Sequence, residues 1–305
     1  MAGIIPLTFI IPCFGRQQKL ERAISSIFAQ VLWPEEIVIV DDASPEPLTL
    51  PPAAAETGRV RLVRLDANGG AAAARDKGLQ VSRTEWVSFL DSDDFLLPNT
   101  VHQRWQCVQA EEERSSKKGY TIYGCCWKEL AHDGSVLRMR YPSPASDSPD
   151  FFQGCWFSPG SCVILNRSEV LRTVGGLDRR LRRLEDYEWF IRLGLAGFEL
   201  KIQQVEGVCI ERGYNTTFAT ITEATALVRL RIWQLTRNRS DRLRLRCRAE
   251  AYLRYEQAAS AWRERRIFTF IILLTISMLV RPRLNISPLP IANRYSEFGL
   301  LPVSW

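Results

Sequence analysis

Three carboxylates in four residues, Asp91, Asp93 and Asp94, close the apolar run Val87-Ser-Phe-Leu90. Crowding of this kind is unfavourable unless a cation, an arginine or water offsets the charge. Hard carboxylate oxygens suit Mg²⁺ or Mn²⁺, which take one or two carboxylates together with phosphate oxygens. A polar turn after a strand is the plain alternative. A second acidic pair, Glu185-Asp186, opens a stretch whose helical face includes Trp189, Phe190 and Leu193. Acids at that position also suit a helix N-terminus, so capping competes with chemistry there. Asn68-Gly69-Gly70 precedes an Ala-rich run carrying Arg75. The glycines allow close backbone approach at a helix start, where free amides attract anions. Arg75, about two turns in, is placed to project toward a diphosphate.

The elements that must position these groups follow from periodicity. Leu7–Pro12 is nearly all apolar, as in a strand buried on both faces. Residues 17–30 form a helix with Leu20, Ala23, Ile24 and Ile27 on one face, broken by Trp33-Pro34. Strands are expected at 36–41, 60–65 and 86–90, with a helix from Asn68 to about Leu79 between the last two. This rhythm predicts an α/β fold, a mostly parallel central sheet with helices on both faces. In such sheets ligands bind beyond the carboxyl ends of the strands. Phe14-Gly15-Arg16, Asp41-Asp42 and Asp91 to Asp94 all fall at such ends. The G-x-G-x-x-G and G-x-x-x-x-G-K-[ST] patterns are absent after the first strand, which disfavours dinucleotide enzymes and P-loop NTPases.

Four motifs in order, Ile10-Ile-Pro12-Cys-Phe14, Ile37-Val-Ile-Val-Asp41-Asp42-Ala-Ser44, Asn68-Gly69-Gly-Ala-Ala-Ala-Ala-Arg75-Asp76-x-Gly78 and Phe89-Leu-Asp91-Ser-Asp93-Asp94, resemble the family 2 glycosyltransferases over roughly residues 5–215. The resemblance implies the GT-A fold and a nucleotide-diphosphate sugar donor. It assigns donor contacts to Pro12, Phe14, Arg16, Asp41, Asp42, Asn68, Gly69, Arg75, Asp91, Glu185 and Trp189. It also assigns a divalent metal (Mg or Mn) to Asp91 and Asp93. Gly175-Gly176-Leu-Asp178 followed by Glu185-Asp186-x-x-Trp189 resembles the family's acceptor segment, which implies Asp186 as general base in a direct, inverting displacement. The acceptor would be a glycan, a lipid or another hydroxyl. Many relatives carry a His after the next strand, but here the stretch reads Cys209-Ile-Glu-Arg212-Gly-Tyr214-Asn. Arg212 or Tyr214 is then the candidate to meet phosphate, and a non-catalytic nucleotide-sugar or glycan-binding module on the same fold stays open. A nucleotidyltransferase would need a Gly-rich basic loop after strand one, which Pro12-Cys-Phe-Gly-Arg16 matches poorly.

The remaining chain is expected to form an antiparallel pair, 120–130 with 136–141, around Asp133-Gly134. A Pro/Ser loop at 142–149 and a strand near 160–165 follow. Both histidines, His102 and His132, read as surface or loop residues. Domains are expected at 1–220 and 221–305. Residues 229–283 hold 14 Arg/Lys against 4 Asp/Glu, whereas the whole chain is only +6. Such a segment seeks an anionic partner or presents a solvated face. It is read as helix over 227–262, then the apolar run 267–280. At ~1.5 Å per residue that run reaches only about 21 Å, short of a ~30 Å hydrocarbon core. It is read as packing in a helical hairpin on its neighbour and the main domain, as lying shallowly on a membrane with the basic segment 241–283, or as a true span. Nucleic acid is not an expected partner. Eight scattered cysteines without a C-x-x-C pair, and an N-terminus lacking a basic n-region, lead to the expectation of a cytoplasmic protein, peripheral at most to the inner face of a membrane.

Overall fold

A computed structural model describes residues 3–131, 133–211 and 216–281. In chain order the elements begin β1 (Gly3–Cys13), α1 (Gln17–Phe28), β2 (Leu32–Asp41), α2 (Pro52–Glu56), β3 (Val60–Arg64), α3 (Gly70–Val81), β4 (Trp86–Phe89) and β5 (Phe95–Leu96). Next come α4 (Thr100–Arg114), β6 (Thr121–Leu130), β7 (Val136–Arg140), α5 (Ser148–Phe151), β8 (Val163–Asn166), α6 (Arg167–Thr173), α7 (Glu185–Leu195) and β9 (Glu199–Glu211). Three helices close the described chain: α8 (Phe218–Thr236), α9 (Arg242–Arg263) and α10 (Ile267–Val280). Two compact units emerge, Met1–Phe151 with Cys155–Gly213, and Phe152–Gly154 with Tyr214–Trp305.

The first unit is an α/β sheet in the order β3-β2-β1-β4-β8-β6-β9-β5, with β7 beside β6. Its longest pairings, β1 with β2 and β6 with β9, are parallel, as are β2 with β3 and β1 with β4. Strand β8 joins the two halves by running antiparallel to both β4 and β6. Strand alternation sorts the core into two layers. Leu7, Phe9 and Ile11 of β1 pack with Leu20, Ile24 and Ile27 of α1 and with Trp105 of α4. Ile10 faces the opposite way, toward Leu79 of α3 and Trp189 and Phe190 of α7. Gly78 is what lets α3 lie on β1, because a Cβ there would fall 2.2 Å from the Ile10 side chain. Helices therefore cover both faces, and the carboxyl ends of β1, β2 and β4 share one edge.

Trp33-Pro34 does not separate α1 from the next strand but lies inside β2. Pro34 is accommodated at the start of the pairing with β1, where the register shifts between Ile5 and Thr8. The expected antiparallel pair is β6 with β7, turning through Asp133, whose Oδ1 accepts from Ser135 N at 2.9 Å. His102 lies in α4 and is half-buried rather than in a loop; His132 lies outside the described residues. All eight cysteines are free thiols.

In the second unit, the helix expected over 227–262 is two helices. α8 ends at Thr236, and Asp241 precedes α9, where Arg239 pairs with the Asp241 carboxylate at 2.8 Å. α9 buries a run of small residues, among them Ala251, Ala258, Ser260 and Ala261, which permits close approach of neighbouring helices. Ser277 of α10 donates to the Ala251 carbonyl at 2.7 Å, and the Trp262 and Phe270 rings meet at a tilt of 51° with centroids 4.9 Å apart. The apolar segment thus forms a helical hairpin with α9. No helix among the described residues is long and apolar enough to cross a membrane.

Candidate active site

Arg75 is the hub of the cluster. It projects from α3, is only 4 % exposed, and meets three carboxylates from two places in the chain, Asp91 and the pair Glu185-Asp186. Its Nη2 donates to Asp91 Oδ1 at 2.6 Å, its Nη1 to Glu185 Oε1 at 3.1 Å and to Asp186 Oδ1 at 3.3 Å. Burial opposes the guanidinium charge, but Asp186, Asp91 and Glu185 outweigh it and hold its pKa above the ordinary arginine value. Both terminal nitrogens of its planar fork are engaged by carboxylates, while the buried Nε has no hydrogen-bond partner.

Glu185 and Asp186 do not cap their helix. Leu184, with φ 60°, precedes α7 and no side chain caps the helix, while both acids turn to Arg75. Burial pushes the Asp186 carboxyl up to about 6, with Arg75 restraining the rise. An acid with such a value is poised to exchange a proton near neutral pH. The segment before it is latched to α7. Trp189 Nε1 donates to the Gly175 carbonyl at 2.9 Å, and Arg192 donates to the Val174 and Gly176 carbonyls, each at 2.8 Å.

Trp189 lies inside the packing rather than on the open edge. Its side chain is fully buried, set edge-on to Phe89 at 6.0 Å between ring centroids, and its one donor is spent on Gly175. In this structure the indole serves as packing between β4 and α7.

At the end of β4, Asp93 pairs with Arg16 from the turn after β1, and Arg22 donates to the Asp93 carbonyl at 2.6 Å. Asp91 and Asp93 keep 33 % and 20 % of their side chains exposed, whereas Asp94 is buried. Asp94 points inward. It accepts from Ser161 Oγ at 2.5 Å and from Glu211 N at 3.2 Å, and burial together with Asp91 raises its pKa well above the ordinary value. Ser161 Oγ in turn accepts from Asp91 N at 3.0 Å. Gly160 sits so close that a Cβ would fall 2.5 Å from Asp91 Oδ2 and 2.9 Å from Arg75 Nη2. Sequence patterns did not single out Gly160, Ser161, Arg22 or Glu211. Only the smallness of Gly160-Ser161 ahead of an apolar strand hinted at a close approach.

Asp41 and Asp42 close the adjacent strand end. Asp41 is buried, yet Ser44 N at 2.8 Å and Arg64 bind its carboxylate, and its pKa is lowered despite burial. Asp42 accepts from Gly69 N and Gly70 N, both at 2.7 Å. The α3 N-terminus therefore already has its anion, the Asp42 carboxylate, rather than free amides awaiting phosphate. Asn68 holds Arg182 through its side-chain oxygen at 2.8 Å. Pro12 is buried at the end of β1, and Phe14 is 46 % exposed beside it. Arg212 and Tyr214 lie outside the described residues. Among the described residues no three His, Cys, Asp or Glu converge to hold a metal by themselves.

The model of the glycosyl transferase family 2 matches residues 8–168, more than half of the chain. An uncharacterized glycosyltransferase of Haemophilus influenzae is 26 % identical over 187 residues, 61 % of each chain. The succinoglycan biosynthesis protein ExoO of Rhizobium meliloti is 36 % identical over 133 residues, 44 % of this chain and 36 % of its own. These matches thus span less than two thirds of either curated relative. Among solved structures, Staphylococcus aureus TarS 1-349 in complex with UDP superposes with a TM-score of 0.58 at 15 % identity, covering 89 % of this chain and 90 % of that one. At that identity the likeness concerns the fold.

Proposed function

Because the chain belongs to glycosyl transferase family 2, we propose that it moves a sugar from a nucleoside-diphosphate sugar to a hydroxyl acceptor, with inversion, and that Asp186 is the base. One observation carries the reading: Arg75 gathers Asp91, at the strand end expected to face the diphosphate, and Asp186, at the start of α7, onto a single guanidinium. Leaving-group and acceptor functions are thereby held side by side. Asp186 takes the acceptor proton as its oxygen attacks the anomeric carbon, and the bond from that carbon to the diphosphate breaks on the opposite face. Glu185 and Arg75 orient that carboxylate.

Asp91 and Asp93 are the residues that would hold a divalent Mg or Mn ion. The donor set fits: two partly exposed carboxylates, each now balanced by an arginine, with the remaining ligands left to phosphate oxygens. When bound, such an ion offsets charge on the departing diphosphate. Phe14, exposed at the end of β1, is the side chain offered to a base, while Asp41 and Asp42 shape the nucleoside side indirectly, through Ser44 and Gly69-Gly70. A UDP-sugar is the first donor to try, since the TarS structures carry UDP and UDP-GlcNAc; the relatives' succinoglycan and amylovoran names point to a polysaccharide-type acceptor. Thermal-shift screening of nucleoside diphosphates with and without Mn²⁺ tests the donor half. Stabilisation that needs both nucleotide and metal and is lost in Asp91→Asn supports it; no response to any nucleotide contradicts it.

A further inference from the structure

α10 contains no charged residue, yet it buries only one side. Leu273 and Ser277 face α9. Phe268, Ile271, Ile272, Met278 and Leu279 are exposed by 85, 52, 59, 46 and 79 %. At 100° per residue these five fall within one arc of about 120°, with the exposed Thr275 the one polar residue among them, so they form a predominantly apolar stripe along the helix. Isolated exposed apolar side chains are ordinary, but a contiguous stripe marks a contact surface. Arginines sit at both ends. Arg263, Arg265 and Arg266 are exposed before the helix, with Glu264 balancing Arg266 at 2.8 Å, and Arg281 follows it.

We propose that this face of the helical unit docks on an anionic membrane surface, α10 lying in the interface with its stripe in the acyl boundary and Arg263 and Arg265 on lipid phosphates. Fourteen residues suffice to lie flat but not to cross. The charge pattern selects the partner. A second copy packed stripe to stripe would bring arginines of the two chains together in either orientation, whereas anionic headgroups meet them with opposite charge. The proposal is independent of the transfer chemistry, because either can fail alone.

Co-sedimentation of the full chain with phosphatidylglycerol-rich and with pure phosphatidylcholine vesicles tests it. The chain is expected to bind the anionic vesicles in a salt-sensitive way and the neutral ones far less. Arg263→Gln with Arg265→Gln should weaken binding by about twenty-five-fold, taking each arginine near the surface as worth about fivefold. Phe268→Ser with Leu279→Ser should weaken it by at least about tenfold. Both sites are exposed, so unchanged circular dichroism and melting will establish that the variants are folded. Equal binding to neutral vesicles, no vesicle binding at all, or a concentration-dependent dimer that the serine pair dissolves would overturn the proposal.

Discussion

Arg75 Nη1 lies 3.3 Å from Asp186 Oδ1, although 111 residues separate the two in sequence. α3 supplies the cation and the first turn of α7 the anion, and Gly160 leaves room for the same guanidinium to reach Asp91. A buried arginine among carboxylates contributes little net stability but is costly to break, because the anions left behind lose their compensation.

Arg75→Gln should therefore lower the unfolding free energy by about 3–5 kcal/mol, the usual cost of leaving buried charges unpaired. Urea unfolding measures this. Arg75→Lys should recover only part of the loss, because a single ammonium cannot serve Asp91 and Glu185-Asp186 in the two-pronged arrangement.

The raised Asp186 value gives a pH signature. A general base works when deprotonated, so the transfer rate should be full above the folded pKa of about 6 and fall about tenfold per pH unit below it. A rate that stays flat from about pH 7 to about pH 5 would contradict that role.

The same group makes a stability prediction of opposite sense. Its folded pKa, about 6, lies above the ordinary 3.8, so the folded state holds the proton more tightly. The penalty is absent below the unfolded pKa and complete once the pH exceeds the folded one. At neutral pH Asp186→Asn should stabilise the protein by up to about 3 kcal/mol, and the gain should vanish below about pH 4. Melting curves of both proteins across this range decide it.

Ser161 relays between Asp91 N and the inward-facing Asp94. Ser161→Ala should cost about 1–3 kcal/mol of stability by leaving those buried groups without partners. It should also weaken nucleotide binding, because the turn bearing Asp91 loses its tether. Calorimetric titration with UDP and Mn²⁺ provides the second readout, which a change in stability alone would not move.

The parallel strands and their acidic ends were legible because those signals are local: an apolar run such as Val87 to Leu90 stops at Asp91 within the same few residues. Asp94 could not be told from Asp91 in sequence, since burial separates them and burial depends on Ser161 and Glu211 far along the chain. The partners of Arg75 were not legible, because two of the three carboxylates it meets come from α7, 110 and 111 residues away. The burial of Trp189 was hidden for a similar reason, since it depends on the packing of Phe89 and Phe190. The break between α8 and α9 escaped because Arg237-Asn-Arg-Ser-Asp241 is as polar as an exposed helical face.

The central claim, that Asp186 is the base while the Asp91 edge holds the donor, is tested most directly by separating binding from turnover in Asp186→Asn. With a UDP-sugar, Mn²⁺ and mixed glycan acceptors, the variant should bind UDP as the parent does and release it through transfer roughly 10²–10⁴-fold more slowly. Parental turnover in a variant that still binds the nucleotide would contradict the assignment.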